Sequence, residues 1–279
     1  MSNIEHVDEL RKQASEACLI RVTTHTVGII NSIRVEGYDP VTQRQGDGEE
    51  AGTGCAARWG NRHFILTAKH VIHSNAKPSD IRLFWRPTSG IERTADAELK
   101  PQDIIDGVPI RDENAAIYRC DWEDLAIIVI DPAQAGPYTE FVDIENDWID
   151  PAEKEVVHCC GFPIDKHILV GSRWVGKKEE RGIAIRPDLF SGEVFYYPNF
   201  LTDDYAPEKH YLVPYDHPKR PEGFSGAAAW WESDQHKQIW KPDFKFAGVC
   251  THEYKDGTIE RLVKASVVRK FLEEVFGTV

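Results

Sequence analysis

Residues 66–71 read Leu-Thr-Ala-Lys-His-Val, an apolar strand end followed at once by a histidine. Two later stretches belong with it. Asp-Leu-Ala-Ile-Ile at 124–128 is an acid opening a hydrophobic strand. Gly-Phe-Ser-Gly at 223–226 is a serine between glycines, ahead of Ala227, Ala228 and Ala229. Alone, each is commonplace, since serine between glycines is usually a turn. In the order His, Asp, Ser they match one solution to making a serine nucleophilic. A hydroxyl attacks poorly until a base takes its proton, and a neutral imidazole suits that task near pH 7. His70 is then the base. Asp124 would hold the other ring nitrogen as N–H and stabilise the imidazolium. The backbone N–H groups of Gly223 and Ser225 would meet the oxyanion, with Gly223 permitting the turn.

Outward from these stretches the pattern is mostly strand. Leu19–Thr26 is rich in β-branched residues, Ala56–Trp59 and His63–Thr67 flank Gly60-Asn61, and Ile81–Trp85 and Leu125–Ile130 are short apolar runs. A second set follows at Val156–Cys160, Ile168–Val170, Gly182–Ile185, Glu193–Tyr197, Ala227–Trp231 and Phe246–Cys250, with Thr202–Pro221 reading as a long loop. Ile4, Val7, Leu10, Ala14 and Ala17 recur at helical intervals over about residues 3–17, as do Val267, Val268, Phe271, Leu272 and Val275 in Ala265–Phe276. The expected class is all-β: two halves of short strands with turn residues between them, which point to barrels or sandwiches, and a helix at each end. The units are residues 1–18 (helix), 19–132 (first half, with His and Asp), 133–153 (linker) and 154–279 (second half, with Ser, and the last helix).

Composition narrows the partners. The 279 residues carry a formal charge of −13, which argues against a general affinity for nucleic-acid phosphates. The longest clean apolar run, Leu125–Ile130, is far too short for a membrane span. The opening MSNIEHVDELRKQASEA is charged from its fifth residue and reads as no signal peptide, so a cytoplasmic protein is expected. The six cysteines form no C-x-x-C pair and read as small buried hydrophobes. No histidine pair has the spacing and acids of a metallopeptidase, and no Gly-rich phosphate loop occurs, so neither metal nor cofactor is expected.

With Gly52-Thr53-Gly54, Thr67–Val71, Asp124–Ile128, Gly161-Phe162-Pro163 and Gly223–Ala227 in these places, the chain resembles the trypsin-like (chymotrypsin-fold) serine peptidases, in particular small bacterial trypsin-like peptidase domains. The resemblance implies an all-β fold of two antiparallel six-stranded β-barrels, one in each half, with short N-terminal and C-terminal helices, and a serine endopeptidase acting on a protein or peptide substrate. It implies that Thr251, His252 and Glu253 line the substrate cleft, Thr251 being where a small hydroxyl residue supports the buried acid. Glu253 departs from the glycine usual at its place and would narrow the pocket or favour a basic side chain. Phe224 departs too. Secreted members place there an acid that pairs with a trimmed N-terminus, so here the turn must be held by other contacts, either by its own loop Thr202–Glu222 or by a bound partner.

Ser191, His63, His73 and Asp121 are set aside as structural or surface residues. An α/β-hydrolase reading fails at Ala227, where Gly-x-Ser-x-Gly needs glycine. The alternative from another class is a catalytically quiet protein-binding module on the same fold. The N-terminal helix is the candidate contact for a regulatory protein partner, with packing on its own barrel as the alternative.

Overall fold

The computed structural model describes residues 22–39, 44–85, 108–110, 115–136, 139–162, 168–175, 178–184, 188–197, 204–214, 223–232, 244–254 and 258–278. The helix expected over residues 3–17 lies outside them. The first half contains β1 (Thr26–Asp39), β2 (Arg44–Trp59), β3 (Arg62–Thr67), β4 (Ile81–Phe84), β5 (Val108–Pro109), β6 (Ala116–Arg119), β7 (Ala126–Val129) and β8 (Val142–Asp143). The second contains β9 (Val156–Gly161), β10 (Ile168–Val175), β11 (Lys178–Ala184), β12 (Asp188–Glu193), β13 (His210–Pro214), β14 (Ala228–Glu232), β15 (Phe244–Tyr254) and β16 (Ile259–Lys264), followed by helix α1 (Ala265–Phe276).

Hydrogen bonding runs β4-β1-β2-β3-β7-β6 in the first half and β12-β9-β14-β15-β16-β13 in the second. When the six strands of each half are numbered in chain order, both paths trace one ring, 1-2-3-6-5-4. The ring is opened between its fourth and fifth strands in the first half. In the second it is opened between the second and third, where a Phe195–Leu212 bridge spans the gap. Two antiparallel half-barrels of identical circuit make this a chymotrypsin-like double barrel, as the sequence led us to expect. β5 and β8 are additions to the first half, β8 pairing β2 in parallel, and β10–β11 form a separate hairpin.

Burial explains the sequence pattern. In β3 and β7, Ile65, Ala126 and Ile128 fill the first barrel with Val27, Ile29, Ile81 and Leu83. Phe64, Leu66, Leu125 and Ile127 face outward into a second cluster shared with Cys160, Trp230, Phe246, Val249 and α1. Both faces are covered, so the run 125–130 is apolar throughout instead of alternating. The β2–β3 hairpin turns at Gly60-Asn61, with Gly60 at φ 53°, the first-position glycine that a two-residue turn of this hand favours.

Two local expectations change. Residues 22–24 form a helical turn, and β1 starts only at Thr26. There the Thr26 hydroxyl donates back to the Val22 carbonyl at 3.2 Å, a local bond that competes with strand pairing. Residues 210–214, inside the expected loop, are strand β13, with Tyr211, Leu212 and Val213 fully buried. Prolines on both sides masked that short apolar run. Part of the segment 133–153 is stitched to both halves: Ile144 N–H donates to Arg58 O (3.3 Å) and Ile149 N–H to Phe246 O (2.9 Å).

Helix α1 leaves the second half and packs back on the first. Val267, Val268, Phe271 and Leu272 form its buried stripe, and Phe276 stacks near Phe64 at 5.6 Å. Trp59 Nε1 donates to the Gly277 carbonyl at 3.3 Å, and Arg269 lies 4.4 Å from the Trp148 ring. Because Phe271 belongs to the cluster shared by both halves, Phe271→Ala should cost about 3–5 kcal/mol in denaturant unfolding. A loss under about 1 kcal/mol would show that the site collapses around the missing ring and that α1 fastens little.

Candidate active site

Register delivers the first two residues. In the antiparallel pair β3–β7, Thr67 lies opposite Ala126, so the chain leaving β3 runs beside the chain entering β7. A 3-10 turn at Lys69–Val71 then lifts His70 outward, its side chain 51% exposed, while Val71 stays buried. Asp124 meets it with both oxygens. Oδ1 accepts the His70 backbone N–H at 3.1 Å, and Oδ2 sits 2.7 Å from His70 Nδ1. A carboxylate accepts only, so Nδ1 carries a proton, and in the neutral imidazole the lone pair is then on Nε2. Burial pushes the Asp124 carboxyl up, yet the hydrogen bonds and charge of His70 outweigh it, and its pKa falls below the ordinary value.

Beside Asp124 is a second buried acid that sequence reasoning passed over. Glu123 Oε1 accepts the Asp124 N–H at 3.1 Å, and Oε2 meets His210 Nε2 at 3.0 Å. Ala206 N–H donates to His210 Nδ1 at 3.0 Å, so that nitrogen accepts and Nε2–H faces Glu123. Burial opposes ionisation of Glu123, but His210 wins and lowers its pKa. The acid loop is thereby tied to β13 of the opposite half.

Ser225 sits on a tight turn. Gly226 N–H donates to Cys250 O (2.7 Å), Ala227 N–H to Phe224 O (2.7 Å) and Cys250 N–H to Ala227 O (2.9 Å). Phe224 is fully buried, 5.2 Å from the Phe190 ring and tight against Gly161. Gly223 has φ 101° and Gly226 φ 88°, and a Cβ on Gly226 would strike Thr53 O and Thr67 Oγ1. Glycine is therefore required at 226 both by conformation and by space. A Cβ on Gly52 would stand 2.6 Å from a Val71 methyl and 3.1 Å from Ser225 O. The serine turn is thus seated against the strand end that carries His70.

The three residues expected to line the cleft differ in placement. Thr251 is fully buried; its hydroxyl donates to Arg261 O (3.4 Å) and accepts from Arg261 Nε (3.3 Å), facing Arg261 instead of Asp124. Arg261 in turn donates to Asp204 O at 2.6 Å, and its charge helps lower both Asp124 and Glu123. His252 is exposed, 4.8 Å from the Tyr254 ring, and Glu253 lies opposite Glu260 across β15–β16. Of the residues set aside, Ser191 pairs with His158 Nδ1 at 2.6 Å, and His158 Nε2 is 3.3 Å from Glu232. Among the described residues no group of three metal-ligating side chains occurs, and no helix is long and apolar enough to cross a membrane.

No protein-family model and no curated protein matches the chain. Among solved structures it is similar to the protease Anisep from Arthrobacter nicotinovorans, at 12% identity and TM-score 0.49 over 91% of this chain and 96% of that one. It is similar also to the thermostable serine protease AL20 from an extremophilic microorganism, at 9% identity and TM-score 0.48 over 92% and 99%. At such values the functional reading stands on strand circuit and site geometry.

Glu260 is 4% exposed, and burial, reinforced by Glu253, raises its pKa well above the ordinary carboxylate value. A raised acid favours folding fully below the ordinary value and loses that contribution as pH climbs toward the folded one. Glu260→Gln stays neutral throughout. Its melting temperature relative to the parent should therefore rise between about pH 4 and pH 7. A difference independent of pH would place an ionised Glu260 in the folded protein.

Proposed function

We propose that the chain is a serine endopeptidase hydrolysing protein or peptide bonds through an acyl-enzyme on Ser225. The observation that carries this reading is the two-point Asp124–His70 contact, at 3.1 and 2.7 Å, beside the Ser225 turn. His70 Nε2 takes the Ser225 hydroxyl proton as Oγ bonds to the scissile carbonyl carbon, and the carbonyl electron pair moves onto oxygen. The N–H groups of Gly223 and Ser225 meet that oxyanion. On collapse the C–N bond breaks, and the imidazolium gives its proton to the leaving amine. Water then repeats the sequence against the acyl-enzyme. Asp124 remains ionised and stabilises the imidazolium, in keeping with its lowered pKa.

Substrate alignment follows from where β14 begins. Its pairing with β15 starts at Ala228–Val249, so beyond the irregularity at Thr251 the residues 252–254 pair, among the described residues, with β16 alone. That edge lies next to the serine turn through the Cys250–Gly226 bond, and an extended peptide can add to it as a strand. His252 and Glu253 would flank the bound side chains. The division at 19–132 and 154–279 then has one half bringing base and acid and the other the nucleophile. The described cysteines, Cys55, Cys120, Cys159, Cys160 and Cys250, are buried and no disulfide joins them to one another, which fits work in a reducing compartment such as the cytoplasm.

Fluorophosphonate should modify the uncut chain at Ser225, without N-terminal trimming, and should leave Ser225→Ala unmodified. Asp124→Asn should fold and lose about 10⁴-fold in kcat, the imidazole being left in the wrong tautomer. An unmodified parent chain would favour the protein-binding module instead, and labelling of only trimmed forms would restore an insertion mechanism. Glu253→Ala should change the side-chain preference next to the scissile bond in a peptide library. An unchanged profile would remove Glu253 from the pocket.

A further inference from the structure

Phe224, not an acid, precedes Ser225, so no ion pair at that place can hold the serine turn. Its own half holds it at Gly226 and at the Phe224 carbonyl, and the other half adds a restraint through one residue. Thr53 is fully buried on β2. Its hydroxyl donates to the Gly223 carbonyl at 2.6 Å and accepts the Phe162 N–H at 2.9 Å. Its own N–H donates to the Ser225 carbonyl at 2.9 Å, and its carbonyl accepts the Thr67 hydroxyl at 2.7 Å. Every polar group of Thr53 is engaged. Since Phe162 N–H can only donate, the single hydroxyl proton of Thr53 must point to Gly223.

The two pinned carbonyls matter because of where they lie. Those of Gly223 and Ser225 belong to the peptide units on either side of the one that carries the Ser225 N–H. With both flanking planes fixed, and the Phe224 ring locked in the core, the middle peptide cannot turn its N–H away on its own. Resting on the reading of Ser225 as nucleophile, we propose that Thr53 is the positioning residue for the oxyanion donors, supplied to the serine half by the histidine half. The oxyanion site is then assembled when the halves dock, with no cleavage and no ion pair.

Thr53→Val keeps the shape and deletes the hydroxyl, while Thr53→Ser keeps the hydroxyl. Steady-state kinetics on a peptide ester or amide should show kcat lower by about 10²-fold in Thr53→Val, with KM within about twofold, because oxyanion contacts form only in the transition state. Thr53→Ser should return kcat to within about threefold of the parent. A residue that merely stabilised the fold would lower the melting temperature of both variants and leave kcat alone below that temperature. If Thr53→Val does not fold, Thr53→Ala against Thr53→Ser, both held well below their melting points, makes the same comparison. A fluorophosphonate-reactive parent with equal kcat across the folded variants overturns the role of Thr53 and leaves the peptidase reading standing. A parent unreactive at Ser225 overturns that reading, and the role of Thr53 with it.

Discussion

The antiparallel register between β3 and β7 is the constraint on which the rest of the site depends. Thr67 opposite Ala126 fixes which residues emerge side by side at the strand ends, and those residues are His70 and Asp124. The pair is hard to shift. A slip of one residue would turn one of the two strands over relative to the other. If β7 turned, Ile128 would leave the first barrel and Ile127 would leave the cluster under Trp230 and α1. Burial on two faces therefore protects a hydrogen bond whose own partner, His70, is half exposed.

That same double burial made the first half easy to read. A six-residue apolar run after an acid, and an apolar strand ending in Lys-His, carry their register in local composition, and so does Gly-Phe-Ser-Gly before a run of alanines. Short strands separated by turn residues pointed to two all-β halves, the resemblance implied the double barrel, and the circuit itself came from the strand pairing. What escaped was non-local. Strand β13 is a few apolar residues among prolines and charges, and only its place between β16 and the Phe195 bridge makes it a strand. Glu123 looks like one more acid in a chain rich in them, because its partner His210 is distant in sequence. Thr53 was legible as part of Gly-Thr-Gly, but nothing local says that its hydroxyl crosses to Gly223. Thr251 was placed near the acid by resemblance; the neighbouring Arg261 claims its hydroxyl.

The buried polar groups between the halves share a pattern. Glu123 with His210 and Thr53 with Gly223 and Ser225 each join an element bearing one part of the site to an element of the opposite half. Such groups add little net stability compared with apolar packing, since desolvation offsets much of what pairing returns. Their effect is on geometry, because a misdocked arrangement leaves several buried donors and acceptors unpaired at once. The apolar cluster across the interface supplies the attraction, and the polar pairs select one docking among the many that apolar contact alone would allow.

This division of labour bears on the proposed reading, in which the nucleophile sits in one half and its base in the other. A site built within one barrel could be disturbed by any local shift of a loop. Here the serine turn is restrained from three directions: by Phe224 in its own core, by Cys250 on β15 and by Thr53 across the interface. The histidine loop is restrained by β7 through Asp124. The relative position of the two loops then depends on the docking of two rigid bodies, which α1 reinforces by leaving the second barrel and packing on Phe64 and Trp59 of the first. Under that reading, precision at the reacting atoms is inherited from packing far from them, with Thr53 and Glu123 setting how the two loops meet.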